Sequence, residues 1–198
     1  MNPQPIILQG QHARLEPLRS DHAAALSEAV QDGELWRLWY TAIPTPAAMA
    51  SEVQRRLDLQ ASGSMLPFAV IHLADERMAG MTTYMHIDSA NRRLEIGSTW
   101  YRQSLQRTAL NTECKRMLLG YAFEQLDCIA VEFRTHWHNS ASRRGIERLG
   151  AKLDGVLRSH QIAANGSLRD TCVYSILAGE WPAVRANLDH ALSTPRRP

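Results

Sequence analysis

Residues 106–112, QRTALNT, are the first candidates for chemistry, because their position suits the binding of a phosphate group. They lie between a strand-like run, RLEIGSTWY at 93–101, and a helix-like run that begins at Cys114. The first turn of a helix has N–H groups without intrahelical acceptors, and these groups favour an anion. Such loops usually contain glycine, which reaches positive φ at low cost, but this loop contains none. Arg107 could instead supply a fixed positive charge and a fork of donors.

A second candidate is the N-x-x-S pattern of Asn139 and Ser142, at the start of the helix predicted at 140–149. Asparagine is a favoured N-cap residue, so this pair predicts a capping hydrogen bond. Two other patterns predict no chemistry. His136 and His138 are two residues apart with no third ligand evident, so no metal site is expected. Cys114 falls on the apolar face of its helix, which predicts core packing rather than a covalent acetyl-enzyme.

The elements that would position these residues follow from hydrophobic periodicity and from turn residues. A mixed α/β or α+β sheet is indicated, because a three-strand meander precedes alternating strands and helices. The fingerprint of a doubly wound dinucleotide fold does not follow the first strand. Strands are predicted at 13–18, 66–73, 78–87, 93–101 and 129–135, and a hairpin is predicted around Asn165-Gly166. Helices are predicted at 22–30, 45–60, 114–122, 140–149 and 180–192.

The composition predicts one domain over residues 1–198, with a core at about 13–184 and a tail at 185–198. A chain of 198 residues with 44% hydrophobic residues can bury a substantial core. The net charge of +2 gives no argument for nucleic acid or a membrane as a partner. No apolar run approaches the roughly 20 residues that span a bilayer. Three widely spaced cysteines and the absence of a signal-peptide pattern predict reduced thiols and a cytoplasmic location.

Three stretches give the chain a resemblance to a known family. They are EIGSTWY with LQRTALNTECK (95–115), HNSASRRGIERLGAKLDGVLR (138–158), and NGSLRDTCVYSI with EWPAV (165–184). In this order and at these separations, the chain resembles GNAT-fold acetyl-CoA-dependent N-acetyltransferases. It is most similar to the group related to the ribosomal-protein N-terminal (alanine/serine) acetyltransferases. The resemblance implies a mostly antiparallel sheet whose central strands splay apart between flanking helices.

The resemblance also implies acetyl-CoA as co-substrate and no metal. Pantetheine would lie in the gap between the strands at 94–101 and 129–135, and the loop before the next helix would wrap the pyrophosphate. The family signature Q/R-x-x-G-x-G/A places Arg107 and Ala109 at its two small-residue positions, and only Arg107 departs from it. A clamp on the 3′-phosphate would come from Arg143 or Arg144. The implied contacts are Thr99, Trp100, Tyr101, Gln106, Arg107, Thr108, Ala109, Leu110, Asn111, Thr112, Asn139, Ser142 and Arg143.

Ser142 matches the family position from which a serine protonates the leaving thiolate. Ile146 stands where many members have a tyrosine, so the general acid is Ser142, a water or no residue. The group's glutamate aligns with Gln161, which leaves the general base open. Candidates for the base are Glu95, His160 and Asp170. The alternative role for Glu95 is a cross-strand contact with a nearby arginine, and that for Asp170 is a salt bridge with Arg169 or Arg158. A backbone N–H near Ser98 or Thr99 would polarise the thioester carbonyl.

The acceptor is expected to be a primary amine, either a peptide N-terminus or a small molecule. Trp36 and Glu95 are the predicted substrate contacts, and Trp39 and Tyr40 lie in the same aromatic region. The missing tyrosine and glutamate support an alternative function, a CoA-binding sensor or partner-binding module with little or no turnover. An exposed strand edge or the C-terminal segment could support a homodimer.

Overall fold

A computed structural model of the chain describes residues 1–194. Its centre is one eight-stranded sheet in the order β1-β2-β3-β4-β5-β6-β8-β7. Every neighbouring pair is antiparallel except β5 and β6, which are parallel. The strands are β1 (Leu8–Gln9), β2 (Ala13–Pro17), β3 (Met65–His72), β4 (Arg77–Asp88), β5 (Arg93–Tyr101), β6 (Ala130–His136), β7 (Lys152–Ile162) and β8 (Leu168–Leu177).

Five α-helices flank the sheet: α1 (Ala23–Gln31), α2 (Met49–Ala61), α3 (Leu110–Gly120), α4 (Ser140–Arg148) and α5 (Trp181–Ser193). A π-helical turn, Tyr121–Gln125, continues α3. Thr45 caps the 3₁₀ turn that precedes α2, because its Oγ1 accepts the Ala48 N–H at 3.2 Å. None of the helices within residues 1–194 is both long enough and apolar enough to cross a membrane.

Each face of the sheet buries its own hydrophobic cluster, because side chains alternate along a strand. One cluster joins α3 and α5 to side chains such as Tyr84, Leu94 and Ile96. The other joins α1 and α2 to side chains such as Met81 and Trp100. We call these the α3 face and the α1–α2 face.

The parallel pair β5–β6 opens after three residues. The two strands pair only at Arg93–Glu95 and Ala130–Glu132. Beyond Glu95, β5 runs on to Tyr101 and β6 to His136 without pairing to each other. The ladder therefore ends at Glu95, and the two strands form a V-shaped gap that leaves backbone groups of β5 available to a ligand.

The mixed sheet, the splayed strands and most predicted elements are confirmed. β1 was not predicted, since two residues carry no periodic pattern. The predicted tail, 185–198, begins inside α5, which continues to Ser193 and buries Leu188 at 1% exposure. The packed part of the chain therefore extends beyond residue 184. Residues 195–198 of the predicted tail lie outside the described part of the structure.

Candidate active site

A β-bulge shapes the β5 side of the gap. The register between β4 and β5 shifts between Met81 and Thr83, and Ser98 has a φ of +48°. An extra residue in a strand reverses the alternation of faces that follows it. Thr99 consequently points to the α3 face, where its hydroxyl contacts Lys115 of α3. The bulge lies at the place where the sequence predicted a carbonyl-polarising N–H.

The predicted loop at 106–112 includes the start of α3, which begins at Leu110, four residues before the predicted helix start at Cys114. Glu113 N–H is the first to bond back within the helix, to the Ala109 carbonyl at 2.9 Å. The N–H groups of Asn111 and Thr112 are therefore directed out of the helix start. Thr108 Oγ1 donates to the Leu105 carbonyl at 2.7 Å, and the side-chain amide of Gln106 donates to the Tyr101 carbonyl at 3.2 Å. These bonds hold the loop around the end of β5.

Arg107 adopts the conformation that favours glycine, with a φ of +63°. From the sequence we expected an arginine to tolerate this geometry at the family's glycine position, and the φ of Arg107 agrees with that expectation. Here the loop keeps the backbone path expected of a glycine-containing loop and also carries a guanidinium group. The left-handed region is strained for a residue with a Cβ, so this conformation has a cost in stability.

Glu113 anchors the start of α3 to the turn between β1 and β2. Its carboxylate accepts the backbone N–H groups of Gln11, His12 and Ala13 at 2.8, 2.7 and 2.8 Å. The side chain is buried, so these are charge-assisted bonds with little competition from water. The helix start is fixed to the sheet by this one carboxylate, a contact that the sequence reasoning missed.

The start of α4 lies at the end of β6, on the other side of the gap. Asn139 caps the helix, with its Oδ1 accepting the Ser142 N–H at 3.0 Å. This bond leaves the Asn139 Nδ2 as a donor. The Ser142 hydroxyl is half-buried and makes no hydrogen bond to the residues that the structure describes. Both polar groups are therefore available at the helix start.

The arginines of α4 divide between two surroundings. Arg143 lies over the Trp137 ring, 4.2 Å from its centroid, and its Nε donates to the Tyr174 hydroxyl at 3.1 Å. Arg148, which was not among the predicted contacts, donates to Thr112 Oγ1 at 3.2 Å. Arg148 is therefore the α4 arginine placed at the start of α3. The two are five residues apart, about 1.4 turns of helix, so they point in different directions and only Arg148 faces the start of α3.

Glu95 is buried on the α1–α2 face at the last paired position before the strands separate. Its Oε2 lies 2.8 Å from His86 Nδ1 and 3.5 Å from Arg134 Nε. Burial raises the pKa of Glu95, while the hydrogen bond from His86 and the charge of Arg134 oppose that rise. The contact with an arginine, expected as the alternative role of Glu95, is therefore present. The carboxylate also lies where β5 and β6 begin to separate, which we call the vertex of the gap.

An aromatic cluster borders the gap on the same face. The Trp39 ring lies 5.1 Å from His136, 5.7 Å from His138 and 5.6 Å from Tyr40, measured between ring centroids. Trp39 is half-exposed, whereas Trp36, the predicted substrate contact, packs against the core formed with α1 and α2. The structure thus brings Trp39 and Tyr40 to the gap, and it places Trp36 behind them.

His136 presents an unpaired donor within this cluster. Its Nδ1 accepts the His138 N–H at 3.0 Å, which assigns the proton of the neutral ring to Nε2. Nε2 is buried and has no hydrogen-bond partner in residues 1–194. Burial, followed by the charge of Arg169, lowers the pKa of His136, so the ring is neutral near pH 7. Buried orphan donors are rare in native proteins, so this N–H is available to an acceptor atom of a water or a ligand.

The remaining candidate bases have structural partners. Asp170 forms an ion pair with Arg158 at 2.7 Å and accepts the Ser159 N–H, as its alternative role required. His160 Nδ1 lies 3.1 Å from Thr171 Oγ1. Neither group lies at the vertex of the gap, where Glu95 is found. Residues 1–194 contain no cluster of three or more His, Cys, Asp or Glu side chains that could hold a metal ion.

Two predicted contacts of β5 are largely internal, and so is Cys114 of α3. Trp100 and Tyr101 are buried on opposite faces, so contacts to a ligand would come from their backbone. Cys114 is buried, and burial raises the pKa of its thiol to about 12. A thiol protonated at neutral pH is a poor nucleophile, which agrees with the predicted packing role. Its neighbour Lys115 is also buried, and the sequence reasoning had assigned it no role.

Comparison with known proteins identifies the family. The sequence profile described as "Acetyltransferase (GNAT) domain" matches residues 12–152, from β2 through α4, and so includes the gap and the loop at 106–112. The chain belongs to the GNAT acetyltransferase family. Its fold is shared with a GCN5-related N-acetyltransferase from Brucella melitensis, at 31% identity and a TM-score of 0.87. That alignment covers 98% of this chain and 88% of the other.

Two further relatives differ in the sequence identity and in the length that they share with this chain. Mycobacterium smegmatis RimJ, solved in complex with CoA-disulfide, has the same fold at 22% identity and a TM-score of 0.82, over 96% of this chain and 97% of that one. YdaF of Bacillus subtilis (strain 168), whose name describes a ribosomal N-acetyltransferase, is 33% identical over 109 residues. This match covers 55% of the present chain and only 58% of YdaF.

Proposed function

We propose that this GNAT-family protein transfers the acetyl group of acetyl-CoA to a primary amine, by direct attack within a ternary complex. The observation that carries the proposal is the separation of β5 from β6 after Glu95, beside a helix start with outward N–H groups. The gap offers unpaired strand backbone to the amides of a pantetheine arm. The start of α3 offers N–H donors and a positive dipole end to the diphosphate.

The residues that would hold the co-substrate divide by chemistry. Backbone N–H groups of residues 107–112 would bind the diphosphate, with positive charge from Arg107 and Arg148. The Nδ2 of Asn139 would donate to the pantetheine arm. Ser142 would lie near the sulfur. Arg143 stays a predicted contact, although it packs on Trp137 and Tyr174 in the described conformation.

The reaction forms a bond from the amine nitrogen to the thioester carbonyl carbon and breaks the carbon–sulfur bond. The amine loses a proton, and the departing thiolate gains one. We assign the base to Glu95, directly or through a water, because it lies at the vertex and burial strengthens it as a base. We propose that Ser142 donates the proton that the departing thiolate gains, because its hydroxyl makes no hydrogen bond to any of residues 1–194.

We propose a peptide N-terminus as the acceptor class. An α-amino group has a pKa of about 7.7–8.0, against about 10.4 for a lysine amine, so a weaker base is sufficient. The orphan Nε2–H of His136 supports the same choice, since an N-terminal residue carries a carbonyl oxygen close to its amine. The name of YdaF, a ribosomal N-acetyltransferase, points in the same direction.

The test is release of CoA thiol from acetyl-CoA in the presence of three amines of different class. These are a short peptide with a free N-terminus, the same peptide blocked at the N-terminus but containing lysine, and a small amine without a carbonyl group. We expect turnover with the first peptide. Saturable CoA binding without turnover on any amine would instead support a CoA-binding sensor or partner-binding module.

Two substitutions test the assigned roles. Glu95→Gln keeps the size of the side chain and should lower kcat/KM at pH 7 by about 100-fold. Ser142→Ala should lower kcat by about tenfold and leave the dissociation constant for CoA unchanged. Asp170→Asn is the control, because its carboxylate is occupied by Arg158. An effect of Asp170→Asn as large as that of Glu95→Gln would contradict the assignment.

A further inference from the structure

Lys115 is one of only two lysines in the chain, and it is buried beneath the bulge of β5. Its ammonium group donates to Thr99 Oγ1 at 2.8 Å and to Thr82 Oγ1 at 3.2 Å. The two hydroxyls lie 2.8 Å apart, and Thr99 Oγ1 also donates to the Gly97 carbonyl at 3.4 Å. These hydrogen bonds hold Gly97 and Thr99, the residues on either side of Ser98, which has the positive φ.

A second buried cation holds the same bulge from the opposite face. Arg56 of α2 donates to Thr83 Oγ1 at 2.7 Å and to the Ser98 carbonyl at 3.4 Å. The charge of Arg56 is balanced by Glu52 at 2.7 Å. No such balance exists for Lys115, which forms no ion pair with any of residues 1–194. Burial without an anion lowers the pKa of Lys115 to about 8.

An unbalanced buried charge is costly, so its presence calls for a compensating interaction. The titratable groups around Lys115 do not supply one. Cys114 on the same helix has a pKa raised to about 12, and Tyr101 on β5 and Tyr84 on β4 are raised well above their ordinary values. All three are neutral at pH 7. Within residues 1–194, these neighbours supply no negative charge that balances Lys115 at pH 7.

We propose that Lys115 is a positioning residue for acyl activation: it fixes the Ser98–Thr99 bulge through the two threonines and places a positive charge behind the strand that binds the thioester. This inference rests on the proposed acetyl transfer. During attack, the carbonyl oxygen of the thioester gains negative charge next to the bulge N–H groups. A preorganised positive charge at a site shielded from water stabilises that charge and needs no rearrangement.

The test uses acetyl-CoA with hydroxylamine, a small nucleophile that does not require the correct acceptor. Lys115→Met removes the charge and keeps the length of the side chain. We expect kcat to fall at least about tenfold, with the dissociation constant for CoA unchanged within twofold. Lys152→Met is the matched control, because Lys152 is exposed and paired with Glu180.

Thr99→Val removes only a hydroxyl group and should lower kcat in the same direction, which guards against a misfolded Lys115 variant. We expect Lys115→Met to raise the melting temperature of the ligand-free protein while it lowers kcat, a combination that a purely structural lysine would not give. Unchanged kcat in Lys115→Met, or a loss confined to CoA affinity, would overturn the proposal.

Failure of the proposed function gives a different result. Wild-type protein that transfers acetyl to hydroxylamine but to none of the three acceptor amines would refute the acceptor assignment. The effect of Lys115→Met on kcat with hydroxylamine would then still decide the role of Lys115. Wild-type protein inactive towards hydroxylamine as well would refute both. Because the chain has two lysines, ¹³C labelling of lysine side chains gives two resonances, and Lys152→Met assigns them. An ordinary pKa near 10.4 for Lys115 would also overturn the proposal.

Discussion

At the scale of single residues, Arg107 combines a strained backbone with a charge at the phosphate loop. The φ of +63° costs an arginine or alanine about 1 kcal/mol, and a glycine much less. Arg107→Gly and Arg107→Ala both remove the charge, but only glycine removes the strain. We expect both variants to bind CoA more weakly by a similar factor. The glycine variant should be about 1 kcal/mol more stable than the alanine variant in urea denaturation.

Equal stability of these two variants would contradict the positive φ. Loss of CoA affinity only in the alanine variant would mean that loop geometry matters and the guanidinium charge does not. Isothermal titration with CoA separates the two contributions, since the charge is absent from both variants.

Lys115 makes the stability of the ligand-free protein depend on pH in the alkaline range. Its folded-state pKa, about 8, lies below its value in the unfolded chain, 10.5. Between these values the unfolded chain binds more protons, so stability rises as pH increases from about 8 to 10.5. Below pH 8 the full penalty applies, about 3 kcal/mol at 1.36 kcal/mol per pKa unit. Urea denaturation of wild type and Lys115→Met at pH 7, 8, 9 and 10 should show this rise as a difference between the two proteins. The raised pKa of Cys114 and of Cys128 lowers stability above about pH 9 in both proteins, so the difference isolates Lys115.

Lys115→Met should abolish that rise and stabilise the protein at pH 7 by up to about 3 kcal/mol. Lys152→Met should retain the wild-type dependence, because Lys152 is exposed. A stability difference between Lys115→Met and wild type that stays constant from pH 8 to 10 would show that Lys115 is not a buried, unbalanced cation.

At the scale of elements, the position of α3 depends on Glu113. Glu113→Ala leaves three backbone N–H groups of the β1–β2 turn without their acceptor. We expect a loss of about 3 kcal/mol in the free energy of unfolding, because each unsatisfied donor costs about 1–3 kcal/mol when buried. CoA affinity should fall as well, since the start of α3 is the proposed diphosphate site.

Glu113→Gln should be compared with Glu113→Ala, because its amide oxygen still accepts hydrogen bonds from the turn but carries no charge. An intermediate loss of stability is expected. Glu76, exposed at the β3–β4 turn and paired with Arg14, provides the surface control. A Glu113→Ala variant as stable as Glu76→Ala would show that the turn does not need the carboxylate.

At the scale of the whole molecule, CoA should bridge α3 and α4 across the gap and stabilise the fold. Ligand at 100 times its dissociation constant contributes about 2.7 kcal/mol. For a domain of this size, that corresponds to a rise in Tm of about 5–10 °C. Arg148→Ala should reduce the shift, because Arg148 reaches Thr112, whereas Arg144 is exposed on the same helix and Arg144→Ala should not. An unchanged Tm with CoA would remove the proposed function.

The homodimer stays a prediction. The outer strand β7 and its partner β8 expose apolar side chains at the edge of the sheet, namely Leu153, Leu157, Ile162 and Leu168. Exposed edge strands with apolar residues favour association with another chain. Sedimentation velocity at micromolar concentration should give a dimer, and Leu157→Lys should shift it to a monomer. A monomeric wild-type protein would remove this prediction.

The sequence predicted the strands, the helices and their order because periodicity and turn residues are local properties. It also predicted a helix start after the loop at 106–112, since a strand, a short loop and an amphipathic helix in succession define one, and the binding of phosphate there stays a prediction. It did not find Arg148 at Thr112, Glu113 on the β1–β2 turn, or Trp39 beside His136. These contacts join residues 36 to about 100 positions apart, and neither periodicity nor spacing records such distances.

The family and the mixed sheet were therefore determined by the sequence, through local patterns and three ordered motifs. Only the tertiary structure decided which charged side chains lie beside the gap between β5 and β6. It turned Thr99 to the α3 face through one extra residue at Ser98, and it placed Lys115 beneath that bulge without an anion. In the sequence, Lys115 is one polar residue near the apolar side of a helix. Its surroundings, and hence its chemistry, are set by how α3 packs on β4 and β5.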